Sequence, residues 1–197
     1  HSRRARAVAV IPMAVDTEHF SRPARLDPHE KLGIPARSAD RPRVGFLGRV
    51  TERSDWGMVR AAAAETPEWQ WIIAGPLAGI RPRGPDNLHW VGPVKYQELP
   101  AWLQQWDVGI VPHTANTQFN RRTWPMKLLE YLASGLPVVS TDIPASRELA
   151  ERLPDLVLLC TEHSSSSFVE AIRGALSVPA WKREAGRSFT RRHTWEA

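Results

Sequence analysis

What most constrains the fold of this chain is an alternation. From Arg43 onward, short apolar runs bounded by Gly and Pro take turns with stretches of helical periodicity. The runs fall at residues 44–47, 71–74, 88–91, 108–111, 137–140 and 156–159, each short and mostly apolar, as strands buried on both faces are. Between them, residues 56–66 put Val59, Ala62 and Ala63 on one helical face. Leu99, Trp102, Leu103 and Trp106 recur at i, i+3, i+4 and i+7, an amphipathic helix signature. Another helix is expected over residues 145–152. Ser167-Phe168-Val169-Glu170 reads as a capping box opening a helix with Phe168, Ala171, Ile172, Ala175 and Leu176 inside. Such alternation implies right-handed crossovers and a parallel sheet covered on both faces. The expectation for residues 43–197 is an α/β domain: a doubly wound, Rossmann-like parallel sheet of about six strands with helices on both faces. Residues 1–42 hold one apolar run at 8–11 and then a polar, Pro- and Arg-containing stretch, and read as a linker from a preceding domain.

Within that frame, residues 120–140 carry the most information. They read as loop, helix, glycine stop and buried strand. Pro125 suits a first helical turn, Thr123 or Trp124 is the expected cap, and Gly135 followed by Pro137 ends the helix. Leu128, Leu129 and Leu132 form its apolar face, while Lys127, Glu130 and Ser134 form a polar stripe. One reading is a solvated face with a single Lys–Glu pair, worth roughly 0.2–0.5 kcal/mol. The other is a ligand site, in which the helix opening and Lys127 attract phosphate and Glu130 accepts from sugar hydroxyls. In doubly wound sheets ligands bind beyond the carboxyl ends of the strands, at the switch point. That rule gathers Gly48-Arg49, Gly75-Pro76, Pro93-Val94, Pro112-His113 and residues 121–125 around one cleft. His113 and Asn116 are candidates for sugar or phosphate contacts there, against the plainer reading of loop residues bonded locally. Of nine tryptophans, Trp124 is the one placed at the helix entrance.

Composition narrows the partners. No apolar run approaches the roughly 18 residues of a membrane-spanning helix. The single cysteine, Cys160, excludes an intramolecular disulfide, and a reducing, cytoplasmic setting is expected. A formal charge of +5 and a pI near 10.0 suit an anionic partner: phosphate, nucleic acid or acidic lipid. The charge is scattered, apart from Arg3, Arg4 and Arg6 and the Arg191-Arg192 pair. The turn after the first run, Gly48-Arg49-Val50-Thr51-Glu52, lacks the second and third glycines of a dinucleotide fingerprint, and no G-x-x-x-x-G-K-[ST] motif occurs. No Asp-x-Asp or histidine cluster suggests a metal, and no cofactor is expected. A basic α/β module docking on nucleic acid or an anionic membrane is the alternative, although the chain lacks the interleaved aromatic and basic residues of a single-strand platform.

Four segments resemble the C-terminal half of a GT-B fold, group 1 (family four) glycosyltransferase. They are residues 10–20 (Val-Ile-Pro-Met-Ala-Val-Asp-Thr-Glu-His-Phe), residues 44–49 ending in Gly48-Arg49, residues 88–94 with Leu99-Pro100, and residues 127–139 from Lys127 to Val139. The last is the most specific, and the resemblance spans essentially the whole chain. It implies a donor-binding domain for a UDP- or GDP-sugar. Arg49 and Lys127 would hold the pyrophosphate and neutralise charge as it leaves; the amides near Thr123, Trp124, Pro125 and Met126 would add to that hold. Gly48 would line the site, Glu130 would accept from the ribose, and the backbone near Val94 would meet the base. Partners implied are an N-terminal acceptor domain outside this chain and a glycan or lipid-linked acceptor, with peripheral contact at the inner membrane face and no nucleic acid. Turnover is not expected of this fragment alone. There are departures. The first of two glutamates spaced as in many members falls on Arg122. The family's lysine after Gly-Arg is replaced by the neighbourhood of Arg53, and Met13 stands for a common asparagine.

Overall fold

The computed structural model describes residues 13–23, 27–79, 83–114 and 117–195. The strand expected at residues 8–11 lies outside them. In chain order the elements are α1 (Thr17–Ser21), β1 (Arg43–Leu47), α2 (Trp56–Glu65), β2 (Gln70–Ala74), β3 (Leu88–Gly92), α3 (Leu99–Leu103), β4 (Val108–Val111), α4 (Gln118–Arg122), α5 (Lys127–Ala133), β5 (Val138–Thr141), α6 (Pro144–Arg152), β6 (Val157–Cys160), α7 (Ser165–Leu176) and α8 (Ala180–Thr190). The six strands are all parallel in the order β3-β2-β1-β4-β5-β6. The chain runs outward from β1 through β3, then returns to β4 on the other side of β1. That reversal makes the β1/β4 seam the switch point.

Strand alternation builds two cores. Val44, Phe46, Trp71, Ile73, Val108, Ile110 and Val139 face α2 and α7. Leu47, Ile72, Ala74, Val111 and Val138 face the opposite layer, which holds α3, α5 and α8. At the seam this second layer carries two large rings, and the strands make room for them. A Cβ on Gly45 would lie 2.0 Å from the Trp106 ring, and one on Gly109 would lie 2.5 Å from Tyr131. Gly45 and Gly109 are partners in register, and the β1–β4 ladder runs no further. Beyond it the Tyr131 hydroxyl accepts from the Leu47 amide at 2.7 Å and donates to the Ile110 carbonyl at 3.4 Å, satisfying backbone groups where the strands part.

Helix boundaries shift where side chains outside the apolar pattern decide them. Trp106 is buried as expected, but α3 ends at Leu103 and Trp106 follows in a turn. The α7 cap is Ser164, whose hydroxyl accepts from the Ser167 amide, so the helix starts before the capping box expected at Ser167. α5 begins at Lys127 with no side-chain cap. Thr123 instead terminates α4, a helix not foreseen, and its hydroxyl donates to the Phe119 carbonyl at 2.8 Å. At the other end of α5 the expectation holds. Gly135 has φ +79°, and the Leu136 amide reaches the Tyr131 carbonyl at 2.9 Å, closing the helix in a Schellman turn.

The segment read as a linker contributes Val15, Phe20 and Ile34 to the α3/α5 core. α1 is capped by Asp16, whose carboxylate accepts from the His19 amide at 2.8 Å, and the Val15 amide donates to the His193 carbonyl after α8. Below the sheet, Asp27 accepts from the fully buried Arg43 guanidinium at 2.7 Å and from His29 Nδ1 at 2.7 Å. Trp106 Nε1 donates to His29 Nε2 at 3.0 Å, so the imidazole is neutral with its proton on Nδ1.

Candidate active site

The carboxyl ends of β1 and β4 open into two neighbouring cavities. One, of about 360 Å³, is lined by Leu47, Gly48, Gly75, Pro76, Pro93, Val94, Leu99, Met126, Lys127 and Glu130. The other, of about 230 Å³, is lined by Arg49, Arg53, His113, Phe119, Asn120, Thr123, Trp124, Pro125, Met126 and Lys127. Lys127 and Met126 belong to both walls. The polar stripe of α5 therefore lies at the switch point, with Lys127 between the cavities and Glu130 in the larger one.

Glycine makes the close approach of these loops possible. Gly75 (φ +149°) sits where a Cβ would be 1.9 Å from the Gly48 carbonyl oxygen, so the β2 turn nests directly on the β1 turn. Gly48 (φ +132°) leaves space that the Lys127 ammonium fills: Nζ is 3.3 Å from where a Gly48 Cβ would stand. The same ammonium lies 4.9 Å from the Phe46 ring centroid. Burial withdraws water from Lys127 and brings its pKa down to about 8, with Glu130 opposing the shift and Arg53 adding to it. Burial likewise raises the Glu130 carboxyl, against the pull of Lys127. No ion pair among the described residues joins the two, so the simple Lys–Glu surface pair is not what the stripe forms. Both side chains are half-buried in the crevice.

The smaller cavity is held by a zipper between the loops after β1 and β4. The Asp55 amide donates to the Pro112 carbonyl at 2.7 Å, the Thr114 amide donates to the Arg53 carbonyl at 2.9 Å, and Ser54 and His113 form an antiparallel bridge. Asn120 clamps the junction, its side-chain amide donating to the Arg53 carbonyl at 2.9 Å and the Thr114 carbonyl at 2.7 Å. Arg53 stacks on the Phe119 ring, 4.5 Å from its centroid. Burial first, and then Lys127, pushes the His113 pKa down to about 3, so the imidazole is neutral at physiological pH; its Nδ1 lies 3.3 Å from the Ser54 hydroxyl.

Every expected site residue that the structure describes lines one of the two cavities. Asn116 lies outside the described residues. Trp124 is half-buried and packs against the α3/α5 core. The phosphate-attracting helix opening is modest. α5 has seven residues and starts after Pro125, so the charge of Lys127, more than a helix dipole, makes the site attractive to anions. Arg122 is exposed on the last turn of α4, outside both linings. Phe119 and Asn120 are the residues that sequence reasoning missed. The one available signal was Thr117, whose hydroxyl accepts from the Asn120 amide and caps α4.

Residues 41–177 match the sequence profile of the family described as glycosyl transferases, group 1. The chain belongs to that family. It is 33% identical over 113 residues to the putative teichuronic acid biosynthesis glycosyltransferase TuaH of Bacillus subtilis (strain 168), a match covering 54% of this chain and 28% of that protein. The fold matches the crystal structure of Anabaena Alr3699/HepE in complex with UDP and glucose with a TM-score of 0.70 at 16% identity, over 91% of this chain and 51% of that one. It also matches the C-terminal domain of the group 1 glycosyl transferase LpcC from Francisella tularensis, with a TM-score of 0.60 at 17% identity, over 91% of this chain and 97% of that domain. This family member thus spans about a quarter of its TuaH relative and half of the HepE chain, and has the Rossmann-like architecture of a GT-B C-terminal domain. Among the described residues, no helix is long and apolar enough to cross a membrane.

Proposed function

We propose that this chain is the donor-binding part of a glycosyltransferase that moves a sugar from a nucleoside-diphosphate sugar to a glycan or lipid-linked acceptor in polysaccharide biosynthesis. The observation that carries the proposal is the position of Lys127. Its ammonium rests on Gly48 at the switch point, between a cavity with a carboxylate and a cavity with two arginines. A nucleotide sugar has the same order of chemistry: a pentose that offers hydroxyls, a diphosphate, then the sugar. Glu130 accepts from the ribose, Gly48 and Val94 line the nucleoside cavity, and Lys127 with Arg49 meets the diphosphate. As the glycosidic bond breaks, negative charge grows on the leaving diphosphate, and fixed cations in a water-poor crevice lower that barrier. The chemistry supplied by Lys127 and Arg49 needs no metal, so donor affinity should be the same with EDTA or with magnesium. Acceptor binding belongs to a second domain, and the chain alone binds donor without turnover. A cytoplasmic site of action, with peripheral contact to the inner membrane face, follows from a lipid-linked acceptor. That UDP is held by HepE, of similar fold, supports a nucleotide in this cleft.

Calorimetric titration with UDP and GDP tests the reading. One of them should bind below millimolar concentration, and Glu130→Ala should weaken it without changing the thermal unfolding midpoint. A folded chain that binds neither nucleotide ends the proposal.

A further inference from the structure

The geometry points to an acidic sugar as the group carried by the donor, with its carboxylate held by Arg53 in the cavity beyond Lys127. This rests on the donor reading above and concerns the smaller cavity. A neutral hexose presents hydroxyls that donate as well as accept, so a pocket built for one offers acceptors, usually carboxylates, as well as donors. The smaller cavity is lopsided. Arg49, Arg53 and Lys127 line it, and no Asp or Glu does. Glu130, the one carboxylate among the described residues that line the crevice, lies on the nucleoside side instead. With Lys127 and Arg49 on the diphosphate, Arg53 is left as the third cation of this cavity. The group that matches the surplus accepts without donating, and a carboxylate does so through two oxygens in the fork geometry of a guanidinium.

Arg53 is built to be that fork. Its backbone is fixed from two sides, the carbonyl accepting from the Thr114 amide and from Asn120. Its guanidinium carbon stands over the Phe119 ring, 4.5 Å from the centroid, and its Nε is 3.5 Å from the Thr51 hydroxyl. Stacking and anchoring reduce the side-chain freedom lost on binding, so the cation is presented rather than sampled. The Phe119 ring is 54% exposed on a short helix whose remaining residues are polar. A large apolar ring kept at the mouth of a polar cavity is accounted for if it holds the arginine.

The test compares UDP, UDP-glucose and UDP-glucuronate by calorimetry on the whole chain, the two sugars differing only in CH₂OH against carboxylate at C6. UDP-glucuronate should bind at least tenfold tighter than UDP-glucose. Arg53→Gln should abolish most of that ratio while moving the UDP and UDP-glucose affinities less than threefold, and Arg53→Lys should keep part of it. Circular dichroism and the unfolding midpoint establish that each variant is folded. If GDP is preferred to UDP, the same comparison uses GDP-mannose and GDP-mannuronate. Equal affinity for the neutral and acidic sugar overturns the inference and leaves the donor reading intact. So does a parallel loss of all three ligands in Arg53→Gln, which would put Arg53 on the diphosphate. Failure of every nucleotide to bind removes the donor reading itself.

Discussion

Lys127 concentrates the chemistry of this domain in one ammonium. In the free protein its pKa is brought down to about 8 by burial. A diphosphate beside it favours the charged form and raises the pKa, so binding near and above that pH takes up a proton. Nucleotide affinity should fall as pH rises through about 8, and titrations at that pH in buffers of different ionisation enthalpy should show proton uptake. Lys127→Met should weaken UDP or GDP by roughly 2 kcal/mol or more, about thirtyfold, and abolish the uptake. His113 lies in the same crevice and is not expected to add a step near neutrality, because burial and Lys127 keep it uncharged down to about 3. The residues that make this site were legible to different degrees. Lys127 and Glu130 stand out because a helix carries them one turn apart beside an apolar face, a pattern confined to a few consecutive residues. Phe119 and Asn120 do not, since their roles depend on a loop from the other side of the seam that lies 66 and 67 residues away at Arg53.

At the scale of elements, the seam between β1 and β4 is the part most exposed to single changes. Tyr131→Phe removes only an oxygen, yet leaves the Leu47 amide without its acceptor. A buried donor left unsatisfied costs about 1–3 kcal/mol, so the denaturant midpoint should drop accordingly. Hydrogen exchange at Leu47 should quicken more than at Val44, which remains in the ladder. Gly75→Ala places a methyl 1.9 Å from the Gly48 carbonyl at a backbone angle that side chains avoid. A loss of about 2 kcal/mol or more is expected, together with weaker nucleotide binding because the Gly48 turn must move away from Lys127. Strands and core helices were readable because period and burial coincide within each element. Helix starts were less so. Which hydroxyl caps depends on where the preceding turn brings it, as with Ser164 instead of Ser167, and Thr123 closing α4 instead of opening α5.

Across the whole molecule, the buried His29 and His113 both make stability sensitive to acid. His29 is wedged between Asp27 and Trp106, and burial, then Arg43, pulls its pKa down to about 4 from 6.5. The unfolded chain therefore binds a proton that the native one refuses between those values, and stability is lost as pH falls from 6.5 toward 4. At roughly 1.4 kcal/mol per pH unit, His29 alone accounts for about 3 kcal/mol, and His113 acts in the same direction. Chemical denaturation between pH 7 and 4.5 should show the decline, and His29→Gln should flatten part of it. Burial works against ionisation of Asp27, but hydrogen bonds from Arg43 and His29 outweigh it and hold its carboxyl below the usual range. Asp27→Asn should therefore destabilise strongly, by about 3–5 kcal/mol, because it strands the buried Arg43 charge. That network ties residues 27–35 to the base of β1, and Phe20, almost fully buried, anchors α1 in the α3/α5 core.

The chain's own order of residues determined the layered α/β architecture, the six strands and the placing of a Lys–Glu stripe on one helix, because periodicity and helix stops are local and need no distant partner. Tertiary structure alone decided that Lys127 rests on Gly48, that Arg53 is stacked and anchored beyond it, and that Val15, Phe20 and Ile34 pack into the domain. Those relations join segments tens of residues apart. They exist only once the return from β3 to β4 lays the ends of β1 and β4 side by side, where close backbone contact and exclusion of water set both the shape of the crevice and the charge of the groups in it.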